Sequence, residues 1–212
     1  MLHKESVSLS LGTLVHSAIL EPEAFSKFVL APAIDKRSKA YKDWVKALPE
    51  GTNIVTEDEF DTCRKIKERL AATDLDALVT KDVELSFYTD IEDVQMKCRP
   101  DILNVEKRMI IDLKTTRDLK WFHKDALKYQ YDESVPHYTS IVAKVTETDP
   151  AEWTYVFLAV ETDGAFDCDW FTLSDETQQR AQDKWVRSVE LYKSCVAFQS
   201  FPGYAGSTPK EI

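Results

Sequence analysis

The hydrophobic pattern of this chain changes its period once, near Val83. Before that point apolar residues recur at helical spacing, as in LGTLVHSAIL over 11–20 and in the segment that opens with a capping box at Thr56. After it, VELSFYTDI, VQMKCRPDIL and RMIIDLKTT have the composition and alternation of strands. We therefore expect a mostly helical front part over about 1–80 and a sheet with its helices over about 81–204.

The order of the predicted elements defines the fold class. The three strands form an antiparallel meander whose last turn lies at 104–107, and a helix follows over 119–145, which Pro136 is able to break. Two further strands, EWTYVFLAVE and AFDCDWFTL, precede a final helix over 174–197. This order favours an α/β fold with a central mixed β-sheet flanked by helices. No Pro/Gly/Ser-rich linker interrupts the 212 residues, so we expect a single domain over 1–212.

Composition excludes several classes of protein. No apolar run approaches the length of a membrane span, and the start MLHKESVSLS lacks the apolar segment of a signal peptide, so we expect a cytoplasmic protein without membrane contact. The four cysteines are scattered without a CxxC pair, which argues against zinc and iron–sulfur sites and favours reduced thiols. The net charge of −10 argues against a protein that coats polyanions, but it leaves a metal-dependent nuclease open, because such an enzyme needs carboxylates at its centre.

An acid and a base end the otherwise apolar strand RMIIDLKTT. Side chains two residues apart on a strand point to the same face, so Asp112 and Lys114 project together. Across the predicted hairpin, Asp101 lies on the neighbouring strand and is able to approach Asp112. Two converging carboxylates repel each other unless a cation neutralises them, and Mg²⁺ suits that role, with Mn²⁺ as a substitute.

Such a cluster supports metal-assisted hydrolysis of a phosphodiester. Lys114 would orient or deprotonate the attacking water, or offset charge that develops on a phosphate. The alternative interpretation of these residues is a surface hairpin that carries ordinary charges, since short motifs often match by chance. His16 is a further candidate metal ligand, although a single histidine beside the apolar face of a helix also fits a hydrogen-bonded core residue.

Several segments, taken together, resemble one family of nucleases. These segments are GTLVHSAILEPEAF, ALPEGTNIVTEDEF, VELSFY, KCRPDIL, IIDLKTT, FLAVE and FPGY. Their order and spacing are similar to those of the RecE-like (exonuclease VIII) nuclease domain of the PD-(D/E)XK superfamily, and the resemblance runs from Leu11 to Tyr204. It implies the restriction-endonuclease-like fold of that superfamily.

The resemblance also implies an activity and its setting. RecE-like enzymes are Mg²⁺-dependent 5′→3′ exodeoxyribonucleases that act on the ends of linear double-stranded DNA and leave 3′ single-stranded overhangs. The overhangs serve a single-strand annealing protein in phage-type recombination. The family resemblance therefore implies a phage- or prophage-encoded protein in the cytoplasm of a bacterial host, assembled as a homo-oligomeric ring.

Carried over position by position, the resemblance assigns roles to individual residues. The implied metal ligands are His16, Asp101, Asp112 and the backbone carbonyl of Leu113. The implied catalytic groups are Asp101, Asp112 and Lys114. The residues implied to contact substrate are Thr115, Thr116 and Tyr138. From the residues alone, a threonine pair that ends a strand is equally ordinary structure, and a core aromatic is the favoured interpretation of Tyr138.

The sequence departs from the family pattern at two places. Ser134 stands where the family has a glutamine four residues before Tyr138, and Gln130 lies one turn earlier. The family also has a further helix with a Tyr-His pair ahead of the segment that begins at Gly12, and this chain starts too close to Gly12 to contain it. We expect these departures to affect DNA contact or assembly rather than the metal centre.

The segment after the catalytic strand combines aromatic and basic residues. Trp121 begins a run of three rings that are able to stack on unpaired bases, and Lys120, Lys124 and Lys128 recur on one helix face that is able to follow a phosphate backbone. Packing of at least two rings and an ordinary solvated face are the alternatives.

Two other functions compete with an exonuclease. One is an endonuclease of the same superfamily, because the same metal site cleaves a phosphodiester however the DNA is presented. The other is a non-catalytic module with a degenerate nuclease fold that binds DNA or a partner. The retained acids, base and histidine favour an active enzyme, because such a set is unfavourable to bury without a function.

Overall fold

The computed structural model describes residues 11–73 and 82–201. The front range contains four helices and two short strands: α1 Leu11–Leu20, α2 Pro22–Phe25, β1 Val29–Leu30, α3 Lys39–Ala47, β2 Ile54–Val55 and α4 Glu57–Ala71. The second range contains β3 Phe87–Ile91, β4 Val94–Cys98, β5 Ile102–Asn104, β6 Met109–Thr116, α5 Phe122–Lys128, α6 Ser134–Thr146, β7 Thr154–Glu161, β8 Cys168–Phe171 and α7 Asp175–Ala197. Of the segment FPGY, only Phe201 lies within the described residues.

The predicted helix boundaries are confirmed where the sequence carries capping residues. At the start of α4, the Thr56 hydroxyl accepts a hydrogen bond from the Glu59 N–H, and the Glu59 carboxylate accepts one from the Thr56 N–H at 2.8 Å, which completes the capping box. Ser174 caps α7 in the same way through the Thr177 N–H. The helix predicted over 11–20 is α1.

A mixed sheet with helices on both faces forms the centre of the fold, as predicted. Its strand order is β5-β6-β7-β8; β6 and β7 are parallel, and the outer pairs are antiparallel. On one face, Ile111 and Leu113 of β6 belong to a buried cluster with residues of α1 and α4. On the other face, Ile110 and Phe157 pack with residues of α5 and α6. Burial on both faces explains why β7 is a continuous apolar run rather than an alternating one.

The predicted three-stranded meander is wrong in one respect. The segment VQMKCRPDIL is broken over 99–101 into β4 and β5, and β3 pairs with β4 in a separate two-stranded sheet. Pro100 lies in the break, where it has no N–H to offer a neighbouring strand. The turn between β5 and β6 is where it was predicted: the Asn104 side chain accepts a hydrogen bond from the Lys107 N–H at 3.0 Å.

The helix predicted over 119–145 is also divided, although not at Pro136. It forms α5 and α6, which are separated at Gln130, whose backbone has a φ of 55°. Pro136 is the third residue of α6, where a backbone N–H has no partner within the helix and its loss is tolerated. The parallel pairing of β1 with β2 was not predicted, because two residues a strand are too few to show a period.

All four cysteines have free thiols. Burial raises the pKa of Cys63 to about 11 and that of Cys98 to about 12, so these two thiols stay protonated at neutral pH. Over 11–73 and 82–201, no helix is long and apolar enough to cross a bilayer.

Candidate active site

The candidate site lies where β6 loses one of its two neighbours. From Met109 to Ile111, β6 pairs with β5 on one side and with β7 on the other. The last pair with β5 joins Ile111 to Ile102, and Asp101 lies one position beyond it, level with Asp112. From Asp112 onward the register joins β6 to β7 alone among the described residues. The backbone of β6 beyond this point is therefore open to side chains on its β5 side.

The carboxylate of Asp101 takes the place of a strand partner. Its Oδ2 accepts a hydrogen bond from the Leu113 N–H at 2.7 Å and lies 3.7 Å from Nδ1 of His16 on α1. Burial lowers the pKa of His16, while a hydrogen bond with the Leu113 backbone acts in the opposite direction. The backbone of Leu113 thus lies beside the imidazole of His16 as well as beside the Asp101 carboxylate. A neutral imidazole is the form that binds a metal.

Asp112 is held by two donors. Lys114 Nζ lies 2.6 Å from its Oδ1, and the Tyr155 hydroxyl donates to its Oδ2 at 3.0 Å. The shared face that the strand period predicts for Asp112 and Lys114 is thus a direct contact. Burial raises the pKa of Tyr155 well above its ordinary value, so the phenol stays protonated and remains a donor.

The negative charge of Asp112 opposes ionisation of Asp101. Burial, and after it the negative charge of Asp112, raise the pKa of Asp101 to about 8. The Leu113 N–H and the nearby Lys114 act in the opposite direction without compensating. A further positive charge beside Asp101 would favour its ionised form.

Glu84 joins the cluster, although no spacing in the sequence predicted it as a ligand. One ligand atom from each of His16, Glu84 and Asp101 lies within 4.8 Å of the others. An isolated antiparallel bridge between Val83 and Ile102 brings Glu84 to this place, and its N–H donates to the Asp101 carbonyl at 3.0 Å. The only signal was an acid between apolar residues in VELSFY, which has no diagnostic spacing.

Arg99 neutralises Glu84 from the outer side of the cluster. Its Nε lies 2.6 Å from Glu84 Oε2 and also donates to the Glu84 backbone carbonyl at 3.0 Å. Burial raises the pKa of Glu84, and Arg99 acts against this rise. The guanidinium is more than half exposed, so it is able to move without disturbing the core.

The donor set fits a divalent cation. Carboxylate and carbonyl oxygens suit hard ions such as Mg²⁺ and Mn²⁺, and a neutral imidazole also suits Mn²⁺. The ligand atoms of His16, Glu84 and Asp101 lie close enough together to hold the ion. The two oxygens of Asp112 contact Lys114 and Tyr155, so Asp112 and the Leu113 carbonyl stay predicted ligands. A cation at this place would relieve the repulsion that raises the pKa of Asp101.

The structure separates the three residues predicted to contact substrate. Tyr138 on α6 packs edge-on against Tyr155, with ring centroids 6.1 Å apart, and the charges of Asp112 and Asp101 add to burial in raising its pKa. Thr116 is buried on the same face of β6 as Asp112, and its hydroxyl donates to Asp125 of α5 at 2.8 Å, so the hydroxyl is already engaged within the fold. Thr115, which pairs with Val160 of β7, is half-buried. Their roles toward DNA stay predictions.

Ser134 contacts the site indirectly, through the Tyr155 hydroxyl that binds Asp112. Its hydroxyl donates to the Tyr131 carbonyl at 2.7 Å, and its oxygen lies 3.2 Å from the Tyr155 hydroxyl oxygen. The serine found in place of the family's glutamine thus helps to fix the tyrosine that binds Asp112. Gln130 lies in the exposed turn between α5 and α6 and forms no part of this network within the described residues.

The fold and the site together define a class of protein. A mixed sheet that presents two acidic residues and a lysine at the end of a central strand is the PD-(D/E)XK nuclease fold. The chain belongs to the family described as "PDDEXK-like domain of unknown function (DUF3799)", which matches residues 1–209. The predicted superfamily and fold class are confirmed.

A solved structure has the same fold. A crystal structure from Eubacterium rectale, named "Putative exonuclease", aligns with 100% of this chain and 79% of its own, at 14% sequence identity and a TM-score of 0.63. The comparison with curated proteins gave no match.

Proposed function

We propose that this protein is a metal-dependent 5′→3′ exodeoxyribonuclease that acts on the ends of linear double-stranded DNA. One observation carries the proposal: Asp101 and Asp112 share a buried cluster with His16 and Lys114 at the point where β6 loses its neighbour. Membership of a PDDEXK-like family supports phosphodiester hydrolysis as the reaction.

The residues of the site have different roles in the proposed hydrolysis. A divalent cation held by His16, Glu84 and Asp101 would neutralise phosphate charge and lower the pKa of a water molecule. The Lys114 ammonium, held by Asp112 at 2.6 Å, orients the attacking water or stabilises charge that develops on the phosphate; only its neutral amine would accept the proton of the water. The Tyr155 hydroxyl and Ser134 keep Asp112 in place, so that the ammonium has a fixed position.

The finer features of the proposal come from the family resemblance. They are Mg²⁺ as the cation, 3′ single-stranded overhangs as the product, a single-strand annealing protein as a partner, a homo-oligomeric ring, and a phage-encoded protein in the cytoplasm of a bacterial host. The motifs from GTLVHSAIL to IIDLKTT support them. The name of the Eubacterium rectale protein supports the exonuclease reading of the shared fold.

Digestion of linear duplex DNA beside a covalently closed circle of the same sequence tests the proposal. We expect loss of the linear DNA in Mg²⁺, protection in EDTA and an intact circle. End labels on either strand then give the polarity. Cleavage of the circle would indicate an endonuclease, and cleavage of neither substrate would indicate a non-catalytic module. Asp112→Asn, prepared in parallel, controls for a contaminating nuclease.

A further inference from the structure

A surface of exposed rings and lysines lies beside the candidate site. It consists of Trp121, Lys124, Lys128, Tyr129 and Tyr131, which we call the aromatic–lysine surface. Trp121 is 52% exposed and Tyr129 is 56% exposed. Rings of this size in solvent leave apolar area uncovered, so their position calls for a binding role or a partner.

Each exposed ring has an ammonium group above it. Lys124 Nζ lies 3.8 Å from the centroid of the Trp121 ring, and Lys128 Nζ lies 4.9 Å from that of Tyr129. Within the described part of the chain, neither lysine forms an ion pair. The nearby Asp125 is bonded to the Thr116 hydroxyl instead. A local positive charge therefore persists on a chain whose net charge is −10.

The rings lead from the surface to the catalytic lysine. Tyr129 stacks on Tyr131 with ring centroids 5.7 Å apart and planes 24° apart. Lys114 Nζ lies 5.0 Å from the centroid of the Tyr131 ring. The aromatic–lysine surface is thus continuous with the candidate active site rather than a separate patch.

The core anchors this surface. Phe122, which directly follows Trp121, is 2% exposed and packs on Phe171 of β8 with ring centroids 4.8 Å apart. Tyr131 packs on Phe157 of the central strand β7 at 6.1 Å. A fixed ring is suited to stacking, because little conformational freedom is lost when a ligand binds.

The chemistry of the surface matches one ligand in particular. Each unpaired base offers a flat face to a ring, and the phosphate beside it offers a charge to a lysine. In a paired duplex the flat faces are hidden within the stack, so rings gain little. Stacking on aromatic side chains is a general means of holding single strands, whatever their sequence.

We infer that the aromatic–lysine surface binds unpaired nucleotides of single-stranded DNA next to the catalytic site. The inference rests on the proposed nuclease function, because the continuity with Lys114 selects DNA as the occupant. It deepens that function by naming the form of DNA that reaches the site: a strand separated from its complement.

Binding measurements on two DNA forms test the inference. We would measure the fluorescence anisotropy of a labelled oligodeoxythymidylate and of a blunt duplex of equal length, in EDTA to prevent cleavage. Trp121→Ala and Tyr129→Ala should each weaken single-strand binding about tenfold and change duplex binding by less than about twofold. Trp121→Phe should retain most of the affinity, because it keeps a ring.

Trp170→Ala is the matched control. Trp170 is 50% exposed on β8, and its neighbour Phe171 packs toward α5, so Trp170 faces the other side of the sheet. Single-strand binding should be unchanged in this variant. An equal loss in Trp170→Ala, an equal loss on the duplex, or no loss in Trp121→Ala would overturn the inference, and so would a wild-type protein that binds no single strand.

Cleavage of linear duplex DNA in Mg²⁺ tests the proposed nuclease function independently of the binding measurements. Wild-type cleavage together with unaltered binding in the ring variants overturns the single-strand inference alone. Absence of Asp112-dependent cleavage overturns the nuclease proposal, whatever the binding data show.

Discussion

The two halves of β6 have the same covering layers but different chemistry. The first half, 109–111, has a strand on each side and contributes only apolar side chains to the core. The second half, 112–116, pairs with β7 alone among the described residues and carries the candidate active site. The difference shows that loss of one neighbour, rather than loss of burial, creates the site. It frees the Leu113 N–H for the Asp101 carboxylate.

The parallel neighbour β7 sharpens this comparison. It pairs residue by residue with β6, so that Phe157 lies beside Asp112 and Ala159 beside Lys114. β7 is flanked by β8 over 157–160 and carries no charge there. These two adjacent strands thus differ in charge according to whether their backbone is paired on both sides.

Removal of the Asp112 charge in the second half of β6 should have the largest effect on the cleavage rate. Asp112→Asn keeps the shape but removes the charge that holds Lys114, so we expect the cleavage rate to fall by about four orders of magnitude, or about 5 kcal/mol of transition-state stabilisation. The melting temperature should stay equal or rise, because the charge that opposes ionisation of Asp101 is gone. Lys114→Ala should also abolish cleavage.

Initial rates on end-labelled duplex in Mg²⁺ and thermal melts measure these two effects. Asp90→Asn, which changes an exposed carboxylate on β3, is the control and should leave both unchanged. A normal rate in Asp112→Asn would contradict the assigned site.

Truncation of a core side chain in the first half of β6 should mainly reduce stability, whereas removal of the acid in the second half mainly reduces cleavage. Ile111 is completely buried between β5 and β7, so Ile111→Ala should reduce the free energy of unfolding by about 3 kcal/mol. Urea unfolding followed by circular dichroism measures the loss. Thr115→Ala, a truncation at a half-buried position of the second half, should change the free energy of unfolding by less than about 1 kcal/mol. Equal losses in the two variants would remove the distinction between the halves.

Loss of the hydroxyl that holds Asp112 should reduce the cleavage rate less than loss of the Asp112 charge itself. Tyr155→Phe deletes the hydroxyl that donates to Asp112 and contacts Ser134. A hydrogen bond to a charged group contributes about 2 kcal/mol, so we expect the cleavage rate to fall about tenfold to thirtyfold with the fold retained. Tyr88→Phe, on an exposed ring, is the comparison variant. An unchanged rate would show that Asp112 needs only Lys114.

Much of this arrangement could be predicted from the sequence, because its determinants are local. The alternation in IIDLKTT places Asp112 beside Lys114, and the four-residue turn after β5 sets Asp101 level with Asp112. The capping residues Thr56 and Ser174 gave the starts of two long helices.

The remaining parts depend on contacts between distant segments, which no local pattern records. Glu84 reaches the cluster through a single bridge, and Tyr155 meets Ser134 across 21 residues. The break at Gln130 depends on one positive φ in a residue that usually continues a helix. These features are fixed by the packed fold rather than by the spacing of residue types.

Changes at Glu84 and Arg99 should have the smallest effect, a shift in the Mg²⁺ concentration needed for cleavage. The direction of this shift shows whether Glu84 is a metal ligand. Glu84 is already paired with Arg99, so binding of a cation by its carboxylate has to disturb that pair. An exposed ion pair contributes less than about 1 kcal/mol, so Arg99→Ala should lower the Mg²⁺ concentration that gives half-maximal cleavage, by about fivefold or less. Glu84→Gln should raise it by about tenfold or less, because it removes one ligand among several.

Titration of the cleavage rate with Mg²⁺, and calorimetry with Mn²⁺, measure both shifts. Glu133→Gln, which lies on the exposed side of the turn before α6, should shift neither. If Arg99→Ala and Glu84→Gln moved the requirement for metal in the same direction, Glu84 would be the anchor of the arginine and not a ligand. Opposite shifts would extend the metal centre beyond the freed edge of β6 to the segment before β3.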